Sequence, residues 1–86
     1  MGMVIVTLSF TQNGSEKAYD MEIPCHVPVN ILIRHICETL RNYSEGSLRP
    51  NAENLRLFCR RLNRMLATNE TFEQAGIWNG DYIDLK

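Results

Sequence analysis

Asn13-Gly14 stands between two segments in which apolar and polar residues alternate, a combination that strongly predicts a β-hairpin. The first segment, residues 3–10, is expected to point four side chains at the core: Val4, Val6, Leu8 and Phe10. The second, about residues 16–23, is expected to point Tyr19, Met21 and Ile23 inward. Pro24 ends this strand, because proline has no N–H to donate to a neighbouring strand.

A helical pattern follows the hairpin. Apolar residues recur at the i, i+3, i+4, i+7 spacing of one buried helix face: Val29, Leu32, Ile33, Ile36, Cys37, Leu40 and Tyr43. Pro28 precedes this face, in the first turn, where proline is tolerated. The usual Ser, Thr, Asp or Asn cap is missing at this end. Ser44-Glu45-Gly46 is expected to end the helix, with a polar loop over 47–53.

Short elements complete the chain. Residues 54–60 alternate and predict a third strand with Leu55, Leu57 and Cys59 inward, and a fourth short strand is expected over 63–66. Thr71-Phe72-Glu73-Gln74 fits a capping box that opens a helical turn ending at Gly76. A turn at Asn79-Gly80-Asp81 leads into the last strand, whose inward residues are Ile83 and Leu85.

This order of elements limits the architecture. A helix that follows a hairpin covers the apolar face of the sheet, and the last strand can then pair in parallel beside the first. Crossovers of that kind are right-handed in nearly all cases. The predicted fold class is therefore α+β, with the arrangement known as the β-grasp.

Composition narrows the class of protein. With 86 residues, of which 44% are hydrophobic, we expect a single domain over residues 1–86. A net charge of −1 gives no general attraction to nucleic acid or anionic lipid. Three cysteines, an odd number, suit a reducing compartment. Apolar runs are far shorter than the ~20 residues of a membrane span, so a cytoplasmic protein without membrane insertion is expected.

The chain resembles the ubiquitin superfamily over its whole length. The resemblance rests on Ile23-Pro24 at the end of the hairpin, on a helix of the V-x-x-L-I-x-x-I type, and on the segment from Thr71 to Asp81 before the last strand. The stretch YDMEIPCHVPVNILIRHICETL is most similar to the YukD/EsaB-type ubiquitin-like accessories of type VII (WXG100) secretion. The ubiquitin-like domain of that system's multi-spanning membrane subunit is similar too. The resemblance implies protein binding, with cytosolic domains of a membrane component as partner.

The sequence departs from conjugated ubiquitin-like proteins in two respects. No Gly-Gly tail follows the last predicted strand, which reaches Lys86, so we expect no conjugation. The superfamily's apolar docking surface is replaced by Gln12, Arg56 and Lys86. Two alternatives remain: a domain cut from a larger adaptor or membrane subunit, and a modifier or sulfur carrier whose tail is truncated.

No catalytic or metal site is predicted. Cys37 and Cys59 fall on predicted core faces, where cysteine behaves as a small apolar residue. Cys25 and His26 are adjacent in an extended segment, so their side chains are expected to point apart. His35 is expected to be solvated. Without carboxylate pairs, a phosphate loop or metal-ligand spacing, we expect neither enzymatic activity nor a cofactor.

The outer face of the sheet is the predicted partner-binding surface. It combines apolar, aromatic and arginine side chains, which are enriched where proteins bind each other: Ile5, Arg56, Phe58, Arg60 and Tyr82. The alternative is a set of scattered surface residues, which all proteins show.

Three other features have open interpretations. Arg56, Arg60, Arg61 and Arg64 have no acidic residue near them in sequence, so they are either a dock for an acidic partner or a solvated turn. RNA binding is disfavoured, since it usually needs several aromatics and a basic protein. Trp78 is expected to pack against its loop, and Ile31, off the core face of the helix, is a candidate for homodimer contacts.

Overall fold

The computed structural model describes residues 2–12, 14–43 and 55–86. Over these residues it has seven elements: β1 (Met3–Gln12), β2 (Ser15–Pro24), α1 (Val29–Tyr43), β3 (Leu57–Cys59), β4 (Arg64–Met65), α2 (Phe72–Ala75) and β5 (Tyr82–Leu85). Several predicted features lie outside the described residues: Asn13 of the hairpin turn, the helix end at 44–46, the loop at 47–53 and Asn54.

The strands form one mixed sheet in the order β2-β1-β5-β3-β4. β1 pairs antiparallel with β2 and parallel with β5, where Thr7 lies opposite Tyr82. β3 pairs antiparallel with both β5 and β4. The parallel pairing of the first and last strands, with a helix between them in sequence, confirms the predicted α+β fold with a ubiquitin-like β-grasp.

Gly14 and Gly80 sit at turns that need a left-handed backbone. Their φ angles are 79° and 86°, a region that glycine adopts without the Cβ clash other residues meet. Gly14 lets β2 return directly beside β1, and the pairing continues to Gln12 opposite Ser15. Both strands are therefore longer than the sequence pattern alone predicted.

The core lies between α1 and one face of the sheet. The inward residues predicted for β1 are all buried, as are six of the seven predicted for α1. Tyr43 is the seventh, and its side chain lies outside the described part of the structure. In β2 only Ile23 is fully buried, because Tyr19 and Met21 lie on an edge strand and pack against the rim of the core. Leu57, Cys59, Ile83 and Leu85 complete the core from β3 and β5.

The first turn of α1 is stabilised by a distant segment instead of by a capping side chain. The N–H groups of Val29 and Asn30 donate to the carbonyl oxygens of Glu70 and Thr68, each at 2.9 Å. Helix termini leave such N–H groups without partners inside the helix, so these two bonds replace the missing cap. At α2 the predicted capping box is present, with Thr71 and Gln74 bonded reciprocally, and Gly76 closes the helix at φ 76°.

Candidate protein-binding surface

An ion-paired arginine occupies the centre of the outer sheet face. The guanidinium of Arg60 donates to Asp84 at 2.7 Å and to Glu16 at 3.0 Å, and it lies 4.0 Å above the ring centroid of Tyr82. Ser9 donates to the same Glu16 carboxylate at 2.6 Å and is itself buried. Hydrogen bonds from Ser9 and Arg60 lower the pKa of Glu16, and Arg60 lowers the pKa of Asp84. Arg60 is therefore bound by two carboxylates and by the Tyr82 ring of the same chain.

Phe58 is the centre of a second group of side chains, nearer the β4 edge. It is half-buried, it lies opposite Asp84 and Met65 in the sheet, and the Nζ of Lys86 is 4.4 Å from its ring centroid. Arg56 lies opposite Lys86, since the two residues exchange backbone hydrogen bonds of 2.7 and 2.9 Å. We call Arg56, Phe58, Met65 and Lys86 the Phe58 patch. It is apolar at its centre and basic at its rim.

Ile5 belongs to a different group, on the other side of the Arg60 network. Ile5 is 52% exposed, Met3 is 42% exposed, and both point outward from β1. The backbone of Ile5 is bonded to the 79–80 turn, through Asn79 Oδ1 at 2.9 Å and the Gly80 N–H at 2.8 Å. Trp78 lies next to that turn. We call Met3, Ile5 and Trp78 the Trp78 patch.

The expectation that Trp78 packs against its loop is wrong. The residue is 64% exposed, and its indole lies against Arg61, whose guanidinium carbon is 3.8 Å from the ring centroid. Arg61 is held in turn by the carboxylate of Asp81, at 2.8 and 3.0 Å, and by the carbonyl of Gly76. The loop therefore displays the indole on its surface.

The basic run from Arg56 to Arg64 is largely neutralised within the chain. Arg61 pairs with Asp81 at 2.8 Å, and Arg64 pairs with Glu70 at 2.9 Å. With Arg60 also paired, Arg56 is the one arginine of the run that forms no ion pair with the described residues; its NH1 donates to the Leu55 carbonyl. Sequence reasoning missed these pairs because all the carboxylates lie outside the run.

The ion pairs predict a stability that falls at acid pH. Arg61 lowers the pKa of Asp81 and Arg60 that of Asp84, both from 3.8, and Arg64 lowers the pKa of Glu70 from 4.5. Between the unfolded-state and folded-state pKa values, these carboxyl groups stay ionised in the folded protein but bind protons in the unfolded chain. Their contribution to stability is therefore fully present above the unfolded-state pKa values and is lost as pH falls through the folded-state pKa values. Urea midpoints should be level between about pH 7 and 5 and fall below about pH 4.5.

Asp81→Asn provides the control for this prediction. The side chain keeps its shape and loses its titration, so the midpoint of Asp81→Asn should start lower at neutral pH and fall less on acidification. A midpoint that falls equally in both proteins would show that the acid sensitivity arises elsewhere.

All three cysteines are buried as free thiols: Cys25, Cys37 and Cys59. Burial raises the pKa of the Cys37 thiol, which keeps it protonated and unreactive. His26 does not face Cys25; its Nδ1 is 2.6 Å from the carboxylate of Glu73. In the described part of the chain, no three His, Cys, Asp or Glu side chains cluster as metal ligands.

The family of this chain is identified by a match to a protein-family model. The model for the WXG100 protein secretion system (Wss) protein YukD matches residues 3–85. The chain belongs to the YukD family. A sequence search of curated proteins found no match.

Solved structures agree on the fold of this YukD-family protein. Caldiarchaeum subterraneum ubiquitin is 19% identical, with a TM-score of 0.71 over 98% of this chain and 91% of that chain. The ubiquitin-like domain of the Mycobacterium tuberculosis type VII secretion protein EccD1 is 18% identical, with a TM-score of 0.70 over 99% and 98%. The EccD5 ubiquitin-like domain from Mycobacterium xenopi is 17% identical, with a TM-score of 0.71 over 98% and 92%. In the described residues of our chain, no helix has the length and apolar content to cross a bilayer.

Proposed function

We propose that residues 1–86 act as one cytoplasmic, non-conjugated protein-binding module of a type VII (WXG100) secretion system, without enzymatic activity. The observation behind this proposal is that the outer sheet face of this YukD-family protein contains the Phe58 patch. Aromatic and arginine side chains are enriched where proteins bind each other, and a few such residues usually supply most of the affinity. The EccD1 domain, which has the same fold, is the ubiquitin-like domain of a type VII secretion system protein, which supports a component of that system as the partner.

The five residues predicted for partner binding have different roles in this proposal. Phe58 and Arg56 contact the partner directly. Arg60 and Tyr82 hold the surface between the two patches in shape, through the contacts with Asp84 and Glu16. Ile5 contributes from the Trp78 patch, on the far side of that network.

A photo-crosslinking experiment identifies the partner. Replacement of Phe58 by benzoylphenylalanine keeps an aromatic ring at the centre of the patch, and irradiation in the native host should give an adduct with a cytosolic domain of a secretion-system membrane component. The same replacement at Ile31, on the exposed surface of α1, is the control. Adducts only with further copies of the chain would contradict the proposal and favour a homodimer.

Two substitutions then measure what the patch contributes to affinity. Phe58→Ala should weaken binding of the identified partner about thirtyfold, as expected for loss of about 2 kcal/mol at an aromatic anchor. Arg56→Glu should slow association with an acidic partner, and the effect should shrink at high salt. Calorimetric titration and stopped-flow kinetics are the measurements.

Matched controls are available on the opposite side of the molecule. Arg34→Glu makes the same charge reversal on the exposed face of α1, and Ile31→Ala truncates an exposed apolar residue there. Both should bind as the wild type does. Loss of affinity in Ile31→Ala with full affinity in Phe58→Ala would move the interface to the helix.

A further inference from the structure

Exposed apolar side chains are concentrated at the Trp78 patch. Among the described residues, five large apolar side chains are exposed, and three of them are Met3, Ile5 and Trp78. Met3 and Trp78 also line an open hollow of about 460 Å³, together with Val4, Cys25, Ile77 and Asn79. A cluster of this kind, rimmed by polar groups, marks an interaction site more often than scattered apolar residues do.

The patch is held rigidly. The 79–80 turn is bonded to both backbone groups of Ile5, and the Trp78 N–H donates to Asp81 Oδ2 at 2.8 Å. Arg61 covers one side of the indole and is fixed by the same carboxylate. Because these contacts position the backbone and the indole before any partner arrives, they reduce the conformational freedom that is lost on binding.

The rim of the patch on β2 is acidic. Glu22 lies directly opposite Ile5 and Asp20 opposite Thr7, so both carboxylates point outward beside the apolar stripe. Thr7 donates to Asp20 at 2.7 Å, but within the described residues neither Asp20 nor Glu22 forms an ion pair. On the other rim, the charge of Arg61 is balanced by Asp81. The unbalanced charge beside the patch is therefore negative.

We propose that the Trp78 patch is a second docking surface, which binds a segment of another protein that presents large apolar side chains flanked by Lys or Arg. The apolar residues enter the hollow beside Met3 and Trp78, and the cations pair with Glu22 and Asp20. Segments with this composition adjoin membrane-spanning helices on the cytosolic side. Only the assignment to such a segment rests on the function proposed above.

An anionic bilayer and a second copy of this chain are the two other candidate occupants of the Trp78 patch. An anionic bilayer would be repelled by Asp20 and Glu22. A second copy could offer its basic Phe58 patch to this acidic one, which would give head-to-tail assembly. Both are outcomes that the experiment distinguishes.

The single tryptophan makes the test direct, since all intrinsic tryptophan emission comes from Trp78. Two short peptides without tryptophan share one Phe-Leu core and differ in their flanks, which are lysines in one and glutamates in the other. The lysine-flanked peptide should shift the emission to shorter wavelength and protect it from acrylamide, with saturation. The glutamate-flanked peptide should bind at least about tenfold more weakly, because like charges oppose each other across the rim.

Variants assign the effect to named side chains. Glu22→Lys should weaken the lysine-flanked peptide about tenfold, with the difference shrinking at high salt. Ile5→Ser should abolish protection while leaving the melting temperature near that of the wild type, because the side chain is exposed. Phe58→Ala lies outside the patch and should bind the peptide normally.

Several results would overturn the inference. These are equal binding of both peptides, binding of neither, a larger emission shift with phosphatidylglycerol vesicles than with phosphatidylcholine vesicles, or protection that appears on concentrating the protein alone. The probe is a defined peptide and the readout is at Trp78. Failure of the peptide test therefore does not contradict the function proposed for the Phe58 patch. Failure of the crosslinking at Phe58 likewise leaves this inference standing.

Discussion

Leu57→Ala is expected to lower the free energy of unfolding by about 2–5 kcal/mol, the range found for truncation of a buried leucine. Leu57 has no exposed surface, lies opposite Leu85 in the sheet and belongs to the same core as Ile36 of α1. Small domains have total stabilities of about 5–15 kcal/mol, so the loss is a large fraction of the whole. Ile36→Ala should behave in the same way. Urea denaturation followed by circular dichroism is the measurement.

Phe58→Ala is the matched control, because it truncates the next residue on the same strand. Its side chain points to the outer face and is only partly buried, so its midpoint should fall by less than that of Leu57→Ala. If Leu57→Ala and Phe58→Ala were equally destabilised, the inward and outward faces of β3 would have been assigned incorrectly.

Phe72→Ala is expected to have the largest effect on stability, about 3–5 kcal/mol. Phe72 has no exposed surface and anchors α2 to the core. The segment before α2 holds the first turn of α1 through the carbonyls of Glu70 and Thr68. Loss of the phenyl ring should therefore weaken two contacts with the rest of the fold: the core and the helix start.

Two readouts test this prediction. Urea denaturation gives the free energy, and hydrogen exchange reports whether the amides of Val29 and Asn30 lose protection before the rest of α1. Glu73→Ala, at an exposed position of the same short helix, is the control and should change the free energy by less than about 1 kcal/mol. Unaltered exchange at Val29 in Phe72→Ala would show that the 68–70 carbonyls are held independently of α2.

Local sequence was sufficient for the elements and for the side of each that faces the core. Alternation in β1 and helical spacing in α1 selected residues that are all buried where the structure describes them. Turn chemistry was also local, since Gly14 and Gly80 adopt the left-handed backbone their positions demanded. The reason is that a residue's direction from a strand or helix depends only on the repeat of that element.

The charge of the outer surface depends on residues that are distant in sequence. Four closely spaced arginines look like a basic patch, yet Arg60, Arg61 and Arg64 meet carboxylates from other parts of the chain. The order β2-β1-β5-β3-β4 brings Glu16 and Asp84 to Arg60, and nothing near Arg60 in sequence indicates either contact.

Sequence by itself determined the β-grasp and the core, because periodicity and turn residues act over a few positions. Tertiary structure alone decided that α1 begins against the carbonyls of Glu70 and Thr68, that Trp78 is displayed on the surface, and that the outer face divides into a basic-rimmed and an acidic-rimmed patch. The physical reason is that electrostatic pairing and exposure depend on distance in space, and strand order sets that distance independently of separation along the chain.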